Sequence, residues 1–410
     1  MGTSLLTTLT LGTIATTAAA ATLLRRRISR NWLAVSSPSA LTTINNNNNN
    51  NNNDNKNTNY NQKLLTPQHI CIITGGNTGL GYETARNLAK RGGTIVLACR
   101  NIESGERAAR NIRRDTGNER VSARELDLAS LDSVRNFAKG FGGADKAASA
   151  VTITANNDCN NTHRPGEEGG GIYALICNAG VWMPMEQKAK TQDGYEIHFG
   201  INHLGHFLLI QNMIPHMQKT SGIKGSSRIV IVSSSLLKSG KVDLKSREFV
   251  YCGRGNRDGV ATTMKDDDLT IKEKKGKNNS SFAPTGYCDS KLMNTLTCRQ
   301  LALHLEGTNI TTYAVSPGFC RSQLGRHVHM PFYKKMLLWP IFRVIQRSPV
   351  QGAENIIFAT MEDESKMVNG AMYQDGKVAE EETRFVDGLG EEVQKGLWEL
   401  SQELVTDKNE

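Results

Sequence analysis

Apolar residues in this chain fall into short, nearly unbroken blocks, with longer amphipathic stretches between them. The blocks occur at 70–74, 94–99 (Thr-Ile-Val-Leu-Ala-Cys), 121–126, 172–177 (Ile-Tyr-Ala-Leu-Ile-Cys), 228–233 (Arg-Ile-Val-Ile-Val-Ser) and 310–315. Helical patterns occupy 81–91, 103–114, 130–140, 193–218, 287–306 and 350–361. Near-continuous apolar strands alternating with helices predict a parallel sheet covered on both faces. Right-handed crossovers then give a doubly wound α/β sheet, a Rossmann fold, with its ligand at the carboxyl ends of the strands. Two polar stretches without periodicity interrupt the rhythm, near 142–171 and 238–283, and read as surface loops enlarged by insertion. The alternation covers 67–405 as a single domain.

The pattern before residue 67 is different. Residues 4–24 carry no charge and are long enough, at about 20 residues, to cross a bilayer. Arg25, Arg26, Arg27 and Arg30 follow at once, which favours keeping that flank in the cytosol. Residues 1–30 therefore read as a membrane anchor holding a cytosolic domain, with the endoplasmic reticulum as the expected membrane. No acid occurs before Asp54 and the segment is rich in Ser, Thr and Arg, so import into a mitochondrion or plastid is the alternative. Residues 31–66, with the asparagine run from Asn45 to Asn53, bury too little apolar surface to offset ordering and read as a tether.

Charge changes little. The net +9 over 410 residues is dispersed rather than interleaved with aromatics, so a nucleic-acid partner is not expected. The eight cysteines form no Cys-x-x-Cys pair, and Cys71, Cys99 and Cys177 lie in apolar strand blocks. His198, His203 and His206 have no acidic or thiol company arranged as a metal site and read as packing or helix-surface residues. No metal is expected.

The chemistry lies in two motifs. Thr74-Gly-Gly-Asn-Thr-Gly-Leu-Gly81 joins a strand to a helix, the context in which a glycine turn admits a dinucleotide pyrophosphate to a helix N-terminus. Tyr287-Cys-Asp-Ser-Lys291 stacks a phenol and an ammonium one helical turn apart. The neighbouring charge is expected to lower the phenol's pKa, so that it can exchange a proton near pH 7. A nucleotide cradle with a tuned tyrosine implies hydride transfer with protonation of the same substrate. The end of the second strand reads Ala98-Cys99-Arg100-Asn101, with no acid to hold both ribose hydroxyls. Arg100 instead suits a 2′-phosphate and favours NADP(H), although it could pair with Glu103.

Over nearly all of 68–405 the chain resembles the short-chain dehydrogenase/reductase family. The turn with Gly75, Asn77, Thr78, Gly79, Leu80 and Gly81 matches its cofactor motif, and Asp127 matches the position that contacts the adenine. Cys177-Asn178-Ala179-Gly180 is similar to its Asn-Asn-Ala-Gly signature. Pro317-Gly318 with Ser322 matches the turn over the nicotinamide. Asn202, Ser234, Tyr287 and Lys291 match its catalytic set. Leu97-Ala-Cys-Arg-Asn101, Asn202-His-Leu-Gly-His-Phe207 and Trp398-Glu-Leu-Ser401 look like the retinol dehydrogenase-like branch.

The resemblance implies that Tyr287 is general acid in reduction and base in oxidation. Lys291 would also bond the nicotinamide ribose, Ser234 would hold the substrate oxygen, and Asn202 would interrupt its helix and organise a water. The serine is chosen from Ser233-Ser234-Ser235, with Ser233 as the other option, and the 53 residues from Ser234 to Tyr287 exceed the family's usual spacing. The implied activity is interconversion of an aldehyde or ketone and its alcohol, on a small apolar substrate such as a retinoid or steroid. A homodimer is compatible with the resemblance. The apolar, aromatic stretch 330–342 reads as a substrate entrance lying on a membrane, or as a packed lid. Two other readings stay open: a protochlorophyllide-type double-bond reductase, and a non-catalytic NADP(H)-binding scaffold or redox sensor.

Overall fold

The computed structural model describes residues 64–141, 171–184, 187–218, 227–247, 249–250, 285–321, 324 and 346–406. The N-terminal segment and most of the tether, the bulk of both inserted stretches, Ser322 and the 330–342 region lie outside the described residues. Apart from residues 346 and 347, the described residues belong to one compact unit, 59–328 together with 348–410.

Among the described residues, eight strands make one sheet in the order β3-β2-β1-β4-β5-β6-β7-β8. They are β1 His69–Thr74, β2 Thr94–Cys99, β3 Val121–Glu125, β4 Gly171–Cys177, β5 Ser227–Val232, β6 Ile310–Val315, β7 Met372–Gln374 and β8 Lys377–Val378. Every pairing is parallel except that of β7 with β8. The six blocks expected from the apolar pattern are all present, within a residue at each end. The order reverses between β1 and β4, which opens a crevice at their carboxyl ends, where doubly wound sheets bind ligands.

The helices are α1 Gly79–Lys90, α2 Ile102–Thr116, α3 Leu131–Lys139, α4 Gly205–Gln218, α5 Thr285–His304, α6 Pro349–Met361, α7 Glu380–Asp387 and α8 Glu391–Val405. The unbroken apolar strands are explained by a separate core on each face. Ile73, Leu88, Ala109 and Ile356 join β1 to α1, α2 and α6 on one face, while Leu175, Phe207, Leu292 and Leu397 join the sheet to α4, α5 and α8 on the other. Trp398 of α8 stacks on His304 at 4.3 Å and meets Phe207 edge-on at 4.9 Å. Next to it, Ser401 Oγ bonds His203 Nε2 at 2.9 Å. As a result α5 is buried almost all round. Among the described residues no helix is long and apolar enough to cross a membrane.

Two boundaries differ from the sequence reading. The helix expected over 193–218 opens with a π-helical segment, Phe199–Leu204, before α4. The wide turn is centred near Asn202, so that residue does interrupt its helix. The second inserted stretch begins inside structure: a 3-10 turn spans Ser235–Ser239, and Lys241 N donates to Asp289 Oδ1 at 2.7 Å.

Candidate active site

Thr74, fully buried at the end of β1, holds the floor of the site together. Its hydroxyl oxygen accepts from the backbone N–H of Asn178 and of Ala179, each at 2.9 Å, and so ties β1 to the end of β4. It also lies 2.9 Å from His206 Nε2. His206 Nδ1 faces Asn202 O at 3.1 Å, and a carbonyl can only accept, so the ring proton sits on Nδ1 and Thr74 donates to Nε2. Burial brings His206 down to about 4 and keeps the ring neutral.

The glycine turn leaves β1 directly above this floor. Gly79 has a φ of 58°, and a Cβ there would meet nothing within 4 Å, so the backbone is exposed to whatever fills the crevice. Gly81 is needed for the opposite reason: its Cβ would lie 2.5 Å from Gly75 O and from Asn178 Nδ2. Thr78 precedes α1 without capping it through its side chain, and the first turn carries no acid. The first N–H groups of α1 therefore face an open backbone cradle, which fits a pyrophosphate. Asn77 Nδ2 donates to Ser104 Oγ at 3.0 Å, and Asn101 caps α2 by accepting from Ser104 N at 2.7 Å. Leu80, half-buried, packs against the core that holds Ile73, Leu88 and Ile356. Arg100 is exposed at the end of β2, and no ion pair with Glu103 occurs among the described residues. Asp127 is half-buried and accepts from Ala129 N at 3.0 Å. Asn178 Nδ2 returns a bond to Thr74 O at 2.9 Å, and Ala179 and Gly180 continue at the rim. Pro317 and Gly318, the latter with a φ of 78°, follow β6 on the same edge. These residues fit a dinucleotide.

Tyr287 and Lys291 stand on the first turns of α5. Ser233 and Ser234 point different ways. Ser233 Oγ donates to Lys291 O at 2.7 Å and is locked into the base of α5. The Ser234 hydroxyl, which accepts from Leu236 N at 3.3 Å, acts on the Tyr287 phenol so as to lower its pKa. Lys291 Nζ lies 5.6 Å from the centre of the Tyr287 ring and donates to Val232 O at 2.8 Å. Burial brings its ammonium down to about 8. The tyrosine departs from expectation. Burial among Trp182, Leu236 and Leu324 pushes the phenol up, the Ser234 hydroxyl works the other way, and Lys291 does not reverse it. The phenol is therefore protonated at neutral pH.

The Asn202 side chain is occupied by the end of β4. Its Oδ1 accepts from Val181 N at 2.8 Å, and its Nδ2 donates to Val181 O at 3.1 Å and to Ser290 Oγ at 3.0 Å. His198, His203 and His206 are all buried, none of them on a helix surface. Among the described residues no group of His, Cys, Asp and Glu could hold a metal. Three further residues at the site come from the structure alone. Trp182 stacks on Tyr287 at 5.7 Å and 24°, and His198 meets the same ring edge-on at 6.5 Å. Glu196 bonds His198 Nδ1 at 2.7 Å. The cue available beforehand was the position of Trp182 two residues after Gly180.

Comparison with known proteins agrees with this geometry. Residues 69–157 match the short chain dehydrogenase family model. Retinol dehydrogenase 11 of Mus musculus is 32% identical over 342 residues, covering 83% of this chain and 87% of the relative. Retinol dehydrogenase 13 of Homo sapiens is 34% identical over 345 residues, covering 84% and 86%. A crystal structure of an uncharacterised protein from Mycobacterium Paratuberculosis is 26% identical, with a TM-score of 0.53 over 84% of this chain and 96% of that one. The chain belongs to the short-chain dehydrogenase/reductase family of oxidoreductases, in its retinol dehydrogenase-like branch.

Proposed function

We propose that this protein is an NADP(H)-dependent oxidoreductase that interconverts an aldehyde or ketone and its alcohol, on a lipid-like substrate such as a retinoid or steroid. The observation that carries the reading is the placement of buried Tyr287 and buried Lys291 one turn apart on α5, beside the end of β5 that carries Ser234 and a glycine turn open at the N-terminus of α1. The names of the two relatives support a retinoid-type substrate.

Gly75 to Gly81 would hold the pyrophosphate, Arg100 a 2′-phosphate, Asp127 the adenine side, and Asn178 to Gly180 with Pro317 and Gly318 the nicotinamide end. The cofactor brings the hydride; the rest of the work falls to the chain. Ser234 donates to the substrate oxygen as charge develops there. Tyr287, protonated at neutral pH, releases its proton to that oxygen in the reducing direction. Lys291 lies close enough to stabilise the phenolate left behind, and loses its charge as pH rises through about 8. Reduction is therefore expected to weaken above that pH. Ser322 joins the cofactor set by family resemblance alone.

Purified protein with NADPH, screened against retinal, steroid ketones and aliphatic aldehydes, tests the reading. Quenched NADPH fluorescence without turnover of any carbonyl would favour a binding scaffold instead. For Arg100→Asp, kcat/KM with NADPH should fall by about a hundredfold while that with NADH rises. An unchanged ratio would show that another residue selects the cofactor.

Residues 1–30 are proposed to anchor the domain at a membrane, on the strength of an uncharged segment followed by four arginines. Carbonate-washed membranes should retain the full chain and release one starting near Asn59. Recovery of a shortened chain inside mitochondria or plastids would identify a cleaved presequence instead.

A further inference from the structure

Trp182 is held more firmly than its position in a loop suggests. Its neighbours on both sides are gripped by the start of one helix. Asn202 satisfies both backbone groups of Val181 through its amide, at 2.8 and 3.1 Å. His198 Nε2 accepts from Met183 N at 3.0 Å. A backbone N–H can only donate, so Nε2 carries the lone pair and Nδ1–H donates to Glu196 Oε1 at 2.7 Å. The second oxygen of Glu196 accepts from Phe199 N at 2.8 Å. His198 and Glu196 are 1% and 4% exposed, so water does not compete for these bonds. The peptide carrying Trp182 is thereby fixed, and its half-buried indole lies nearly parallel to the Tyr287 ring at 24°.

We propose that Trp182 is a specificity-determining wall of the substrate site, selecting carbonyl compounds whose reacting end adjoins a flat, conjugated apolar chain, and that His198 is the residue that positions it. The inference rests on the carbonyl–alcohol reading of the site. A substrate oxygen that reaches Tyr287 and Ser234 brings the adjoining carbons past the apolar group of Trp182, Leu236 and Leu324. A flat conjugated chain gains close dispersion contact along an indole face, whereas a short saturated aldehyde touches little of it. His198 does not reach the reacting atoms and acts through the Met183 bond.

The test compares Trp182→Phe, Trp182→Leu, His198→Gln and His198→Leu with the unmodified chain, using NADPH with retinal and with hexanal. Trp182→Leu should raise KM for retinal about tenfold and lower the ratio of kcat/KM for retinal to that for hexanal by a similar factor. Trp182→Phe, which keeps a flat face, should fall between. His198→Leu should reproduce the KM effect. His198→Gln offers an amide oxygen to Met183 and should restore retinal KM to within about threefold. Retinal binding read from tryptophan fluorescence, without NADPH, should follow the same order. Equal loss on both substrates, or no loss on retinal, overturns the inference. Should His198→Leu fail to fold, the two Trp182 variants decide. If the unmodified chain turns over hexanal but neither reduces nor binds retinal, the carbonyl reading stands and the inference falls. Turnover of no carbonyl at all removes both.

Discussion

Replacing Tyr287 with phenylalanine is expected to lower turnover by about a thousandfold, equivalent to about 4 kcal/mol of barrier, while NADPH still binds. The ring keeps its place: it is buried, stacked on Trp182 at 5.7 Å and edge-on to His198, and none of these contacts uses the hydroxyl. What disappears is the protonated hydroxyl, set among the apolar side chains of Trp182, Leu236 and Leu324. Lys291 cannot stand in for it, because its Nζ is directed at Val232 O. Turnover and cofactor affinity should be measured separately, the second by quenching of NADPH fluorescence. Activity close to that of the unmodified chain would remove the proposed proton donor.

Ending the chain at Gly390 is expected to abolish cooperative folding. Leu397, Trp398 and Leu400 of α8 are buried against α4 and α5, and each contributes about 2 kcal/mol by burial. That loss is a large share of the about 5–15 kcal/mol by which a domain is usually stable. It also strips cover from α5, which is buried over most of its surface, and leaves His203 without Ser401. Thermal unfolding followed by circular dichroism should lose its sharp transition, with binding of a hydrophobic dye already at room temperature. A melting temperature within a few degrees of the full chain would show that α8 is an accessory.

β2, β4 and β5 were legible because they are buried throughout, and burial on both faces leaves few polar positions, whereas β3, Val-Ser-Ala-Arg-Glu and largely half-buried, was placed by its position in the alternation of strands and helices. β7 and β8 have three and two residues, too short for any period, and their pairing depends on a turn at Asp375 and Gly376 with φ values of 53° and 72°. The cofactor turn and the Tyr287–Lys291 spacing were legible for a different reason: they are local geometry, written within eight and five residues. The choice of Ser234 over Ser233 came from the family resemblance and not from pattern, since successive residues at a strand end point to opposite sides and the position of α5 decides which side is the site. The phenol's upward shift was not legible either. Spacing sets Lys291 one turn from Tyr287, but the direction of its ammonium is set by Val232 O on another strand. His198 and Trp182 could not be paired from sequence because their link runs through a backbone N–H, and side-chain identity does not record it.

The two interruptions of the repeating pattern meet the sheet at opposite ends. Residues 142–170 leave α3 and return at Gly171, the amino end of β4, on the edge away from the crevice. Residues 251–284 return at Thr285, two residues before Tyr287, at the crevice itself. Length and composition at the first edge are thus free to drift with little selective consequence, and an affinity tag or reporter grafted there should be tolerated. At the second, the chain re-enters described structure only two residues before Tyr287, so changes of length there act next to the proton donor. A lineage that changes its preferred substrate would be expected to do so there first.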